Sequence, residues 1–133
     1  MDLVVDANIV ISALIGKGRT LDLLFSERFR LFAPQYLFEE ITKHKAEILE
    51  KSLLGEAQLD AFLSLVTLRI SIVPKAEFEK MLAKDISPDP NDREYFALAM
   101  SLGCPIWTND KKLKEQERVR IFNTTELIHA DEK

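Results

Sequence analysis

Acids that stand where apolar strands end are the residues of this chain best placed to do chemistry. Leu3-Val4-Val5 runs directly into Asp6, and Ile106-Trp107-Thr108-Asn109 runs into Asp110. Asp92 opens a helical stretch after the loop-like segment Lys84-Asp85-Ile86-Ser87-Pro88-Asp89-Pro90-Asn91. Glu39 and Glu40 stand in the first turns of a helix expected after a second strand. Carboxylates crowded into one cleft repel and raise one another's pKa unless a cation neutralises them. Three or four oxygen ligands without His or Cys suit hard Mg²⁺ or Mn²⁺ better than Zn²⁺. Such an ion lowers the pKa of a bound water and steadies the attacking and leaving oxygens of a phosphodiester. Each acid also has a plainer use. Asp6, Asp92 and Asp110 can cap helices, Glu39 and Glu40 can belong to a solvated face, and Asp89 is expected to stabilise its loop. A shared location is what would make a site of them.

The elements that must supply that location can be read from the hydrophobic pattern. Strand one covers 3–5 and leads to a helix over 9–15, interrupted by Gly16-Lys17-Gly18, and then to a short helix from Thr20 to near Arg28. Strand two is expected over 29–33, with Pro34 beginning the next helix, where a missing N–H costs nothing. That helix carries Tyr36, Leu37, Ile41, Ile48 and Leu49 at helical spacing, and another follows Gly55 with Leu59, Phe62, Leu63 and Val66. Strand three is 70–73, stopped by Pro74, and a helix over about 76–83 follows. The strongest helix is 92–102, closed by Gly103. Strand four (105–108), a short helix (110–116), strand five (120–122) and a helical turn (124–128) complete the chain, with a polar tail over 130–133.

Short apolar strands alternating with amphipathic helices specify an α/β fold, a parallel sheet of four or five strands covered on both faces. Right-handed crossovers put every strand C-terminus on one edge, and ligands of such sheets bind in the crevice outside that edge. Asp6, Asp92, Asp110 and the glutamate can all reach it.

At 133 residues, 47% hydrophobic and 30% charged, the chain has the make-up of one globular domain, expected over 1–129. No apolar run approaches the roughly 20 residues of a membrane helix, so no membrane role is expected. An acid at position 2 and the missing basic segment argue against a signal peptide. The single Cys104 has no partner within the chain and is expected to be a small buried residue, which fits a cytoplasmic protein. Net charge is −4, from 22 acids against 18 bases. That balance disfavours a nucleic-acid partner unless metal ions offset it, and two divalent cations would cancel it.

Three stretches carry a family resemblance. Val4-Val5-Asp6-Ala7-Asn8-Ile9-Val10 resembles the opening motif of PIN-domain nucleases, an Asp-x-Asn after strand one. Asp89-Pro90-Asn91-Asp92-Arg93-Glu94-Tyr95-Phe96-Ala97-Leu98-Ala99 is similar to the family's third acidic motif, including an aromatic three residues after the acid. Trp107-Thr108-Asn109-Asp110-Lys111-Lys112-Leu113 resembles its fourth. The segment from Pro34 to Ile41 falls where the family places a glutamate, with Glu40, which precedes Ile41, preferred and Glu39 the alternative.

The resemblance implies a Rossmann-like three-layer α/β/α fold and an Mg²⁺- or Mn²⁺-dependent endoribonuclease. It makes Asp6, Glu40, Asp92 and Asp110 the catalytic metal ligands, with Asn8 and Thr108 orienting a carboxylate or a bound water. Lys17, Arg19, Lys43, Arg93, Lys111 and Lys112 become candidates for contact with RNA. His44, a turn from Glu40, is expected to be a surface residue. Compact chains of this kind resemble the toxin of VapBC toxin–antitoxin pairs, which implies an antitoxin protein as partner. Such domains frequently pair, so a homodimer is expected, and the stripe from Leu59 to Val66 suits an interface or the core equally well. Two other readings stand beside this one. A haloacid dehalogenase-type phosphatase also begins with an aspartate after strand one but wants a second acid where this chain has Asn8. A PIN-like binding scaffold without catalysis would have lost acids that this chain retains.

Overall fold

The computed structural model describes residues 1–16, 18–83 and 87–131. Lys17 and residues 84–86 of the acidic loop lie outside that set. Five parallel strands form one sheet in the order β3-β2-β1-β4-β5. The strands are β1 (Asp2–Val5), β2 (Arg30–Pro34), β3 (Ile70–Val73), β4 (Ile106–Trp107) and β5 (Ile121–Phe122). Helices cover both faces, giving the expected three-layer α/β arrangement. In β1, Leu3 and Val5 pack against a core with α1 (Ala7–Gly16), α2 (Arg19–Leu24), α3 (Tyr36–Lys43), α4 (Lys45–Ser52) and α5 (Glu56–Arg69). Val4, on the other side of the pleat, packs with α7 (Arg93–Leu102) and the short α6 (Glu79–Leu82). Tyr95 through Ala99 are all buried, which makes α7 the most enclosed helix of its layer. Gly103 closes it with φ 66°, the left-handed conformation that favours glycine.

Several expected boundaries move, each for a local reason. Pro34 ends β2 instead of starting a helix. The pairing of β2 with β1 runs through Phe32, so the missing N–H of Pro34 lies beyond that ladder. The single helix expected over the Tyr36–Leu49 stripe is two helices. His44 closes α3 with its N–H on the Ile41 carbonyl (3.1 Å), and its own carbonyl then accepts from Ile48 at 2.9 Å to start α4. The second helix stops at Leu24, and the turn that follows is held by Arg69, whose guanidinium donates to the carbonyls of Leu24, Ser26 and Phe29. The helix expected over 76–83 is a 3-10 turn (Lys75–Glu77) followed by α6, and the one over 110–116 is a 3-10 segment (Lys111–Glu115). The last helix, α8 (Thr124–Asp131), extends two residues into the segment expected to be tail. It starts on a reciprocal cap, Asn123 accepting from the Glu126 N–H and Glu126 from the Asn123 N–H. Leu59 and Val66 are buried with Phe62 and Leu63 against them, so the Leu59–Val66 stripe is core. No described helix is long and apolar enough to cross a membrane.

Candidate active site

From β1 the chain winds outward through β2 and β3, then crosses back to lay β4 and β5 on the opposite side of β1. The connections leaving β1 and β4 therefore diverge, opening a crevice at the C-terminal ends of those two strands. Val5 pairs with Trp107, so the next residues in each strand direction, Asp6 and Thr108, lie side by side at its mouth.

Asp6 is 3% exposed. Its Oδ1 accepts the Ile9 N–H at 3.0 Å, which starts α1, so the capping role is real. It does not account for the carboxylate's surroundings. Burial pushes the Asp6 carboxyl up to about 6, and the charges of Glu40 and Asp110 add to that, against hydrogen bonds from Thr108 and the Ile9 N–H. Thr108 is equally buried, and its hydroxyl accepts the Asp110 N–H at 3.1 Å. Asp110 in turn accepts the Lys112 N–H at 3.0 Å and starts the 3-10 segment that follows.

Asp92 precedes α7 but makes no capping hydrogen bond. Asp89 has the local role instead, accepting the Asn91 N–H at 2.9 Å, as expected for a loop residue. The Asp92 carboxyl is pushed up to about 7, first by partial burial and then by the charges of Asp6, Asp89, Asp110 and Glu40. Glu40 is half-buried, whereas Glu39 is exposed. Burial raises the Glu40 carboxyl, against a hydrogen bond from the Tyr95 hydroxyl and the nearby Lys43 and His44 charges. Four acids from four segments thus share one electrostatic neighbourhood, and of the two glutamates it is Glu40 that joins them.

A family profile of the PIN domain matches residues 4–128. The chain belongs to the PIN domain family. Among solved structures, a crystal structure of VapBC2 from Rickettsia felis bound to a DNA fragment from their promoter has a similar fold. Its TM-score is 0.65 at 17% identity, covering 92% of this chain and 98% of that one. A comparison with curated proteins found no match.

The donor set of this PIN domain fits a hard divalent cation in kind, all carboxylate oxygen and no thiol. Its spacing is looser. Among the described residues no group of three or more Asp, Glu, His or Cys side chains is gathered tightly enough to hold an ion. The two observations are compatible, because Mg²⁺ retains several waters and takes one or two carboxylates directly. Asp6 and Asp92, each raised first by burial and then by the charges of the other acids, are the pair a cation would relieve most.

The other candidates are distributed unevenly around the PIN domain crevice. Lys111 lines a cleft of about 400 Å³ together with Thr108, Asn109 and Asp110. Lys43, exposed in the last turn of α3, lies near Glu40 and 5.7 Å from the Tyr36 ring centre. Lys112 is exposed. Arg93 opens α7 and donates to the Leu82 carbonyl at 3.1 Å. Arg19 begins α2, after α1 has carried the chain a helix length, about 15 Å, from Asp6. Asn8 is exposed on the first turn of α1, and His44 is a surface residue 3.5 Å from Glu47. The aromatic three residues after Asp92, Tyr95, also reaches this neighbourhood, donating its hydroxyl to Glu40; the sequence marks the aromatic but not that contact.

Proposed function

We propose that this PIN domain is a divalent-metal-dependent endoribonuclease whose ion is held by Asp6, Glu40, Asp92 and Asp110. The observation that carries the reading is that burial drives Asp6, Asp92 and Glu40 toward protonation, and that the charges of the other acids add to this at Asp6 and Asp92. That arrangement is unfavourable without a counter-ion and is relieved by one. Mg²⁺ or Mn²⁺, when bound, supplies a more acidic water and stabilises charge building on phosphorus.

The protein's own part is positional. The Ile9 N–H and Thr108 hold the Asp6 carboxylate still, and Thr108 ties the Asp110 backbone to it. Lys111, which lines a cleft with Asp110, and Lys43, near Glu40, are candidates to meet substrate phosphates, with exposed Lys112 as a further one. No serine or cysteine nucleophile is required. The likeness to VapBC2 supports extending the reading to a toxin with an antitoxin protein as partner, and the family's habit of pairing supports a homodimer in the cytoplasm.

The test is incubation of the purified protein with mixed single-stranded and structured RNA at millimolar Mn²⁺, in parallel with a chelator. Cleavage with the metal and none with the chelator is expected. Intact RNA in both would contradict the reading, and a phosphoaspartate adduct with beryllium fluoride would favour the phosphatase alternative.

A further inference from the structure

The Tyr95 hydroxyl is a buried polar group that core packing does not require. Tyr95 is 1% exposed, its ring packed among Val4, Phe96 and the neighbouring side chains of the α7 core and edge-on to Tyr36 at 6.4 Å between centres. A phenylalanine would fill the same space. A hydroxyl in that position needs a partner. It donates to Oε1 of Glu40 on α3, and the N–H of Ala7, the residue after Asp6, lies near enough to favour its charged form. Tyr95 itself lies three residues after Asp92, on the same side of the α7 start. One oxygen therefore ties α7, just after Asp92, to Glu40, close to the segment that carries Asp6.

We propose that Tyr95 is a positioning residue for the acidic site, its hydroxyl fixing the Glu40 carboxylate so that one oxygen is held by α7 and the other is left for a cation. This rests on the ribonuclease reading. A glutamate side chain on a helix surface has several rotamers, and ordering it has an entropic cost. The Tyr95 contact makes that ordering part of the folded protein, so it need not be supplied on metal binding. Hydrogen-bond partners of this kind typically contribute about 10–100-fold in metal affinity.

The experiment is Mn²⁺ binding by calorimetry on four proteins: wild type, Tyr95→Phe, Glu40→Gln and the double variant. Melting curves and RNA cleavage on the same samples complete it. Tyr95→Phe should weaken Mn²⁺ binding about 10-fold or more while melting close to wild type. In the Glu40→Gln background the same substitution should add less than about two-fold, because its effect passes through Glu40. Equal losses in both backgrounds, binding unchanged in Tyr95→Phe, or a Tyr95→Phe protein that fails to fold would overturn the inference, since each assigns the hydroxyl to the core alone. Wild-type protein that cleaves RNA with Mn²⁺ while Tyr95→Phe binds it normally removes this inference and spares the ribonuclease reading. Wild-type protein that neither binds Mn²⁺ nor cleaves removes both.

Discussion

The Asp110 backbone N–H donates to the Thr108 hydroxyl at 3.1 Å. The same threonine hydrogen-bonds to Asp6, so a single buried side chain couples the acid after β1 to the acid after β4. Thr108→Val keeps the shape and removes both interactions. Leaving the Asp110 N–H and the Asp6 carboxylate short of a partner should cost about 1–3 kcal/mol in chemical denaturation. RNA cleavage should fall by about 10–100-fold, and Thr108→Ser should restore most of both. Full activity in the valine variant would show that the coupling has no functional part.

The raised acids make a distinctive pH dependence for the metal-free protein. Asp6 and Asp92 are pushed up to about 6 and about 7, whereas an unfolded aspartate titrates near about 3.9. Between those values the folded state binds more protons than the unfolded state, so stability falls as pH rises through the window. The Asp6 shift alone corresponds to roughly 3 kcal/mol, and the raised Glu40 acts in the same sense. Glu47 and Glu126, held low by Lys51 and Lys114, act in the opposite sense but only at more acidic pH. In chelator, the melting temperature at pH 5 should therefore exceed that at pH 7.5. Millimolar Mn²⁺ should raise the pH 7.5 value most. A melting temperature that rises from pH 5 to pH 7.5 without metal would contradict the proposed clustering.

The two adjacent glutamates give a third comparison. Glu39 is exposed, while Glu40 is half-buried against Tyr95. Glu40→Gln should lower Mn²⁺-dependent turnover at least about 10-fold, and Glu39→Gln should stay within about two-fold, as an exposed helix position allows. The reverse ranking, measured in the same cleavage assay, would transfer the role to Glu39.

Much of this arrangement is legible in the residues because it follows from short-range rules. Val4-Val5-Asp6 ends a buried strand in an acid, Ile70–Val73 forms the expected strand without a boundary shift, and Gly103 adopts the left-handed cap its position requires. The order β3-β2-β1-β4-β5, which creates the crevice between Asp6 and Thr108, depends on long-range pairing and leaves no local trace. The break at His44 was hidden because the apolar stripe continues across it from Ile41 to Ile48, with no Gly or Pro to mark it. The family motif already favours Glu40 over Glu39, but the rotation of α3 that turns Glu40 toward α7 appears only in the Tyr95 contact. Capping does not set these acids apart from the proposed site: Asp6 and Asp110 each accept a backbone N–H, while Asp92 leaves the capping to Asp89.

The most direct measurement is Mn²⁺-dependent RNA cleavage by Asp6→Asn. Asparagine can keep the cap on the Ile9 N–H and relieves the buried charge, so the variant should melt at or above the wild-type temperature in chelator. Its cleavage should fall by at least about 100-fold, because a carboxylate that holds the ion has been replaced by a neutral amide. A folded Asp6→Asn protein that cleaves RNA as fast as wild type would contradict the account.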